Sequence, residues 1–523
     1  MRRKLIMGNE KSASTNQEFK GIRALLWPIH NFELKKFLPM GLMMMCILFV
    51  YTLVRDLKDT LMVSSATGGG AETLGFVKLY GVTPSAILFM IIFVRLANVL
   101  NQEKLFYVIV SFFLAFFATF GFIIYPMRGI LHLSQETIGT LQQSMPHLHW
   151  VWPIIGNWSY ALFYILSELW GSVVLTALFW QFANRITKVK EAKRFYSLFG
   201  FIGNFALLMS GALIVYSANS AKKAAELGLN GDTFGQNLRI QMAAVIGAGL
   251  LLIYVFRWMQ KNVLTDPRLY SPDEVAKKKA KLQLGVWEST KMIFKSPYLL
   301  KIAMLMIGYG ISINLIECIW KGQIKLQYPD QNDFNALMGK LSLTTGLLTI
   351  TVMLIGANLL RLFSWRTVAL ITPVFLLVTG FMFFGVIMYE NAHGLSANLL
   401  GVTVLFMAVV VGLIQDAFTK GVKYSLFDST MQMAYIPLDP EAKTKGQAAV
   451  SVLGGRGGKA GGAVIQSSLL LTVGGGVSLA SMVGVLSTIV FAVVIIWIAA
   501  VVGLGKQFEI LTKDQQKEGK SKD

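Results

Sequence analysis

Ten ionisable side chains fall inside otherwise apolar runs of this 523-residue chain: Arg55, Asp56, Lys58, Asp59, Lys78, Glu168, Glu317, Asp416, Arg456 and Lys459. A charge at the centre of a bilayer costs about 2.5–3.5 kcal/mol even on the gentler scale. Ten of them facing lipid would cost roughly 25–35 kcal/mol, beyond the net stability of an ordinary protein. Such groups must pair, reach a helix end or line a wet cavity. Arg55 and Asp59 are four apart, one helical turn, so a pair between them is expected, with Asp56 and Lys58 in the same network. That segment, together with Asp416, reads as a gate or charge network. Lys78, Glu168 and Lys459 stand nearly alone for several turns, and Glu317 has Lys321 one turn on. These four read as contacts to a polyanionic cargo.

Arg456 and Lys459 belong to a glycine-rich stretch, Gly454 to Gly462. A phosphate-cradling P-loop needs four residues between its first glycine and the Gly-Lys pair, followed by Ser or Thr. Leu453 and Ala460 break that pattern. Gly454, Gly458 and Gly462 instead form a small-residue ridge of the kind that lets two membrane helices approach closely. Arg456 and Lys459, three apart, share a face beside exposed backbone and suit phosphate oxygens, the arginine in bidentate fashion.

The elements that must position these charges are membrane helices. Of all residues 54% are hydrophobic and 15% charged, against about 25% charged in soluble domains. A spanning helix needs about 20 apolar residues. Twelve segments qualify: 37–63, 74–97, 105–126, 154–182, 195–216, 240–260, 298–320, 337–360, 366–389, 398–419, 446–473 and 479–503. The expected fold is an all-α membrane protein of about twelve transmembrane helices in a major-facilitator-like six-plus-six architecture. Its parts are a cytoplasmic tail (1–36), a first six-helix bundle (37–260), a basic cytoplasmic linker (261–297) carrying Lys277, Lys278, Lys279 and Lys281, a second bundle (298–505) and a C-terminal tail (506–523). Two such halves rock around a site at the midplane. There is an internal echo: at an offset of 262 residues Pro39–Leu61 falls beside Lys301–Gln323, and Arg55 falls on Glu317.

Lysine and arginine crowd alternate loops. Residues 1–36 hold eight, whereas 64–73, 390–397 and 474–478 hold none. The bias places both termini and the central linker in the cytoplasm. It also accounts for the net charge of +20 without nucleic acid, because the charge is spread over every inside loop. Residues 1–36 carry Glu10, Glu18 and Glu33 among the lysines and lack the apolar core of a cleavable leader. Cys46 and Cys318 lie in apolar runs, so no disulfide framework is indicated. His132, His147 and His149 share the loop 127–153 with Glu136. That is too little for a membrane-embedded enzyme, and no cofactor or metal is expected.

A set of long motifs resembles the bacterial and plastidic ATP/ADP translocase (nucleotide transporter) family. They run from Leu26-Trp27-Pro28-Ile29 and Glu33-Leu34-Lys35-Lys36 through Arg55-Asp56-Leu57-Lys58-Asp59, Phe76-Val77-Lys78 and Ser167-Glu168-Leu169-Trp170-Gly171. Phe179-Trp180-Gln181-Phe182-Ala183-Asn184 and Glu191-Ala192-Lys193-Arg194-Phe195-Tyr196 follow. The second half adds Gly310-Ile311-Ser312-Ile313-Asn314-Leu315-Ile316-Glu317, Lys423-Tyr424-Ser425-Leu426-Phe427-Asp428 and Met433-Ala434-Tyr435-Ile436-Pro437-Leu438-Asp439. The resemblance covers about residues 21–510. It implies nucleotide exchange, with four transport-critical charges that fall here on Lys78, Glu168, Glu317 and Lys459. Four charges usual in the family are replaced, by Met431, Gln432, Gln447 and Ser451.

The expected function is ATP/ADP, or NTP/NDP, antiport by alternating access. The alternative is a proton-coupled nucleotide importer in which Glu168, Glu317 or Asp416 titrates. The base would stack on Tyr164 or Trp170. The expected setting is a bacterial inner membrane, multi-pass, with the chain working as a monomer.

Overall fold

The computed structural model describes residues 29–187, 189–228, 231–266, 269–270, 291, 293–438 and 446–520. Residues 1–28 of the expected tail, and the linker lysines 277–279 and 281, lie outside them. Eleven helices among the described residues are long and apolar enough to cross a membrane. They are α1 (Asn31–Ser64), α2 (Thr73–Val99), α3 (Gln102–Ile124), α4 (Trp158–Ile186), α5 (Arg194–Glu226), α6 (Thr233–Asn262), α7 (Pro297–Gln327), α8 (Gln331–Ile355), α9 (Trp365–His393), α10 (Val404–Ala434) and, last in the chain, α12 (Val483–Lys513). The remaining expected segment is α11 (Gln447–Val473), a helix of 27 residues. At 1.5 Å per residue it is about 40 Å long, enough to span. Its glycines, Arg456, Lys459 and Gln466 make it less apolar than the others.

Each expected segment thus contains a helix, and the largest difference is at α10, where residues 398–403 of the expected span form a two-stranded antiparallel ribbon and the helix begins at Val404. The apolar run ends at 419, yet the helix continues to Ala434. Lys420 and Lys423, which hydropathy assigns to a loop, are therefore on a helix.

In the first half α1 packs against α4, α5 and α6. In the second half α7 packs against α10, α11 and α12. The halves meet along α5 with α8, α1 with α7 and α8, and α2 with α11. The α7–α11 contact is the glycine ridge. A Cβ on Gly454 would lie 2.9 Å from Met306, one on Gly458 2.9 Å from Gly310 Cα, and one on Gly462 3.0 Å from Asn314. Residues four apart on one helix meet residues four apart on the other, so the two backbones touch.

The halves are sealed at the end away from the basic loops. There Lys222 pairs with Asp333 at 2.7 Å. Asn237 donates to Asn332 at 2.9 Å and to Asn335 at 3.2 Å. The Glu72 carboxylate accepts from the Leu479 N–H at 3.1 Å, and Gly475 N–H donates to Pro146 O at 3.1 Å. His147 and His149 lie against Gly474 and Gly476 of the same turn, whose glycines all have positive φ. Near the start of α1 the described ion pairs Lys36–Glu191 and Arg194–Glu33 stay within one half. Toward the basic end α5 and α8 still meet, with Asn204 Nδ2 3.4 Å from Met353 Sδ.

Candidate binding site

Four lysines and four carboxylates alternate across the middle of the bundle. Lys459 Nζ lies 4.0 Å from Glu168 Oε2, and Lys58 Nζ lies 3.1 Å from Glu168 Oε1. Lys58 also meets Asp59 at 3.0 Å. Asp59 reaches Lys321 at 3.0 Å, and Lys321 reaches Glu317 at 3.7 Å. Glu317 accepts Lys420 at 2.7 Å, and Lys420 closes on Asp416 at 2.8 Å. The chain of charges draws on α1 and α4 from the first half and on α7, α10 and α11 from the second. It is dry at its centre, where the Asp59 side chain is 3% accessible, and wet at its Lys459 end, where the side chain is 70% accessible.

Lys78 sits apart from this alternation. Among the described residues no carboxylate lies within 4.0 Å of it; its ammonium donates to Asn314 Oδ1 at 2.7 Å. Asn314 Nδ2 in turn donates to the backbone oxygen of Lys459 at 2.9 Å. One buried amide from α7 thereby ties α2 to α11. Lys78 lies in a π-helical stretch, Val77–Val82, and Glu168 just precedes another, Gly171–Phe179. Such widened turns recur at functional sites because they re-aim side chains.

Several expectations need correcting. Arg55 does not pair with Asp59. Its Nε meets Asp56 at 2.9 Å, and its guanidinium also donates to Ser342 on α8 at 3.0 Å. Asp59 is taken by two buried lysines, one of them from the other half. Glu168 and Lys459 are not isolated, since tertiary packing sets them beside Lys58 and each other. Stacking of a base on Trp170 does not fit: the ring is fully buried, its N–H donates to Ile47 O, and Phe113 packs against it. Tyr164 is equally buried, with the Lys58 ammonium 3.7 Å above its ring. Arg456 is exposed on α11. Lys420, Asn314 and Ser342 were not read as site residues. For Lys420 a signal exists, because it lies one turn after Asp416.

Six cations (Arg55, Lys58, Lys78, Lys321, Lys420, Lys459) and five acids (Asp56, Asp59, Glu168, Glu317, Asp416) share this region, a positive excess of one. The arrangement can accept an anion whose oxygens replace carboxylates opposite the lysines.

The profile described as TLC ATP/ADP transporter matches residues 12–508. The chain belongs to the TLC ATP/ADP transporter family. It is 47% identical over 499 residues to ADP,ATP carrier protein 1 of Chlamydia trachomatis, covering 95% of this chain and 93% of that one. It is 44% identical over 503 residues to ADP,ATP carrier protein 1 of Rickettsia prowazekii, covering 95% and 98%. It is 42% identical over 488 residues to the chloroplastic ADP,ATP carrier protein 2 of Arabidopsis thaliana, covering 93% and 76%. Among solved structures, an inward-facing bacterial homologue of the iron transporter ferroportin matches at TM-score 0.53 and 13% identity, covering 91% of this chain and 100% of that one. A D-xylose–proton symporter matches at 0.50 and 12%, covering 89% and 98%. These two show the fold alone, which is major-facilitator-like.

Two of the four departures from the usual TLC pattern touch each other. Gln447 Nε2 donates to Gln432 Oε1 at 2.7 Å. Met431 is buried, and the Ser451 side chain lies outside the described residues.

Proposed function

We propose that this chain exchanges ATP for ADP, or other nucleoside triphosphate for diphosphate, by alternating access across a bacterial inner membrane. The observation that carries the reading is the alternating charge chain shared by both halves, with Lys78 held ready beside it. A triphosphate brings about four negative charges, and only differential contacts can move a conformational equilibrium. Phosphate oxygens take over the lysines opposite Glu168, Asp59 and Glu317, so the pairs that join the halves open as cargo binds. The names of the Chlamydia, Rickettsia and Arabidopsis relatives support the same cargo.

Exchange is favoured over proton symport by the pairing itself. Glu168 and Glu317 each have a lysine within 4.0 Å, and an ion pair favours the charged carboxylate. In this reading both termini and the basic loops face the cytoplasm, the closed end faces outward, and one chain suffices for transport. No cofactor takes part.

Uptake of labelled ATP, GTP, CTP and UTP into proteoliposomes, with and without trans ADP, tests the reading. Uptake should require trans nucleotide and persist with a protonophore. Unlabelled ATP and ADP should compete far better than AMP, and adenosine should be inert. Competition by adenosine equal to that by ATP would refute phosphate recognition.

A further inference from the structure

We propose that the base of the nucleotide is held by Tyr51 and Tyr424, one from each half, at the accessible Lys459 end of the charge chain. This deepens the nucleotide reading above and rests on it.

Tyr51 precedes Asp59 by eight residues on α1, about 12 Å along the axis. It therefore sits nearer the start of α1 than the dry centre of the charge chain does. Its ring lies against Gly171, where an added Cβ would come within 2.7 Å of Tyr51 Cε2. Glu168, three residues earlier on the same face of α4, takes Lys58 at 3.1 Å. The α4 surface thus offers a carboxylate to Lys58 and bare backbone to Tyr51, two turns apart on α1. The Tyr51 ring is seated but still partly accessible.

Tyr424 comes from the opposite half, in the π-helical stretch Lys423–Phe427 of α10. It is 42% accessible, unlike the fully covered Tyr164 and Trp170. Tyr424 lies within electrostatic range of Tyr51, of Arg55 and of Lys459. Arg55 and Lys459 belong to different halves, so Tyr424 faces the space between them rather than lipid. The Lys423 ammonium lies 4.5 Å from its ring centre, and the Arg55 guanidinium 6.0 Å from that of Tyr51. Two rings with cations nearby, one turn or more from the phosphate-binding lysines, suit a planar heterocycle joined to a chain of phosphates. Stacking is tolerant of base identity, because every base has a π face.

The experiment compares ATP with inorganic tripolyphosphate, which keeps the charge and lacks the base. Binding of each to the purified full-length chain is measured by calorimetry for wild type, Tyr51→Ala, Tyr424→Ala and the two Tyr→Phe variants. Each alanine should weaken ATP about five- to hundredfold and leave tripolyphosphate unchanged, while each phenylalanine retains ATP binding. Unchanged tripolyphosphate binding also shows that the variants are folded. If both ligands weaken equally, or neither does, the rings only shape the cavity and the proposal is wrong. Equal wild-type affinity for tripolyphosphate and ATP would likewise overturn it. If wild type binds neither ligand, the nucleotide reading itself fails.

Discussion

Lys321 Nζ lies 3.0 Å from Asp59 Oδ2 across the interface between the halves, and the two residues are 262 positions apart. That separation is the offset at which α1 echoes α7. Residues at equivalent positions in two related helices meet where a pseudo-two-fold axis passes between them. The contact thus joins two residues that the sequence echo sets beside each other, with opposite charges. It is buried, and two further ions, Lys58 and Glu317, extend it to either side.

Breaking this pair should harm the protein more than replacing it. Removing one partner of a buried pair leaves an uncompensated charge, at about 3–5 kcal/mol, whereas apolar replacement of both is often near neutral. Asp59→Asn and Lys321→Met should each lower thermal stability sharply. The double variant Asp59→Leu/Lys321→Met should recover most of it and still fail to exchange nucleotide. Thermal unfolding in detergent with parallel uptake checks this. A double variant with full uptake would show the pair to be scaffolding only.

Lys459 offers the opposite case, since its side chain is 70% accessible and its carboxylate partner is 4.0 Å away. Lys459→Gln should leave stability near wild type. Loss of one charge-assisted contact, about 1.5–3 kcal/mol, should raise the ATP dissociation constant about ten- to hundredfold. Arg456→Ala should act in the same direction. Calorimetry on the purified variants reads both, and undiminished affinity would remove these cations from the site.

The closed seam should respond to close packing more than to surface charge. Lys222 and Asp333 are each about two-fifths accessible, so Asp333→Ala should shift the equilibrium by about 0–1 kcal/mol. Gly211→Ala is harsher, because its Cβ would lie 2.6 Å from Gly339 O on α8 and backbone cannot move aside cheaply. It should favour a state open on the sealed side. Labelling of a cysteine introduced at Ser342 by a membrane-impermeant thiol reagent measures the shift. Equal labelling in wild type and Gly211→Ala would contradict the seam's role.

Glu72 should make that seal pH-dependent. Burial pushes its carboxyl above the usual range, against the opposing pull of the Leu479 N–H and the Lys325 ammonium. The Cys318 thiol also lies within electrostatic range. A group whose pKa is raised in the closed state binds its proton more tightly there than when opened to water. Closure is thus favoured at acid pH and weakens as pH rises through the raised pKa. Glu72→Gln should flatten the dependence. The same labelling assay, run across pH, should show accessibility rising with pH in wild type and level in the variant.

Much of this was legible in the residues alone. Hydropathy located all twelve helices, because an apolar run of spanning length has one stable outcome in lipid. The Gly454, Gly458 and Gly462 spacing foretold a close helix contact, since residues four apart share a face whatever lies opposite. The cost of intramembrane charge marked Lys78, Glu168, Glu317 and Lys459 as unusual before any partner was known. Partner choice was another matter. Spacing favoured Arg55 with Asp59, but spacing speaks only for neighbours on one helix. Asp59 instead meets Lys321, and Glu168 meets Lys58 and Lys459, because packing of α1 against α4 and α7 brings distant turns together. Lys420 was hidden for a related reason: a helix held by tertiary contacts runs past the end of its apolar run. The covered rings of Tyr164 and Trp170, and the accessible ring of Tyr424, depend on which faces the neighbouring helices occupy. One-dimensional periodicity orients a residue about its own helix axis; only the tertiary structure decides what stands across from it.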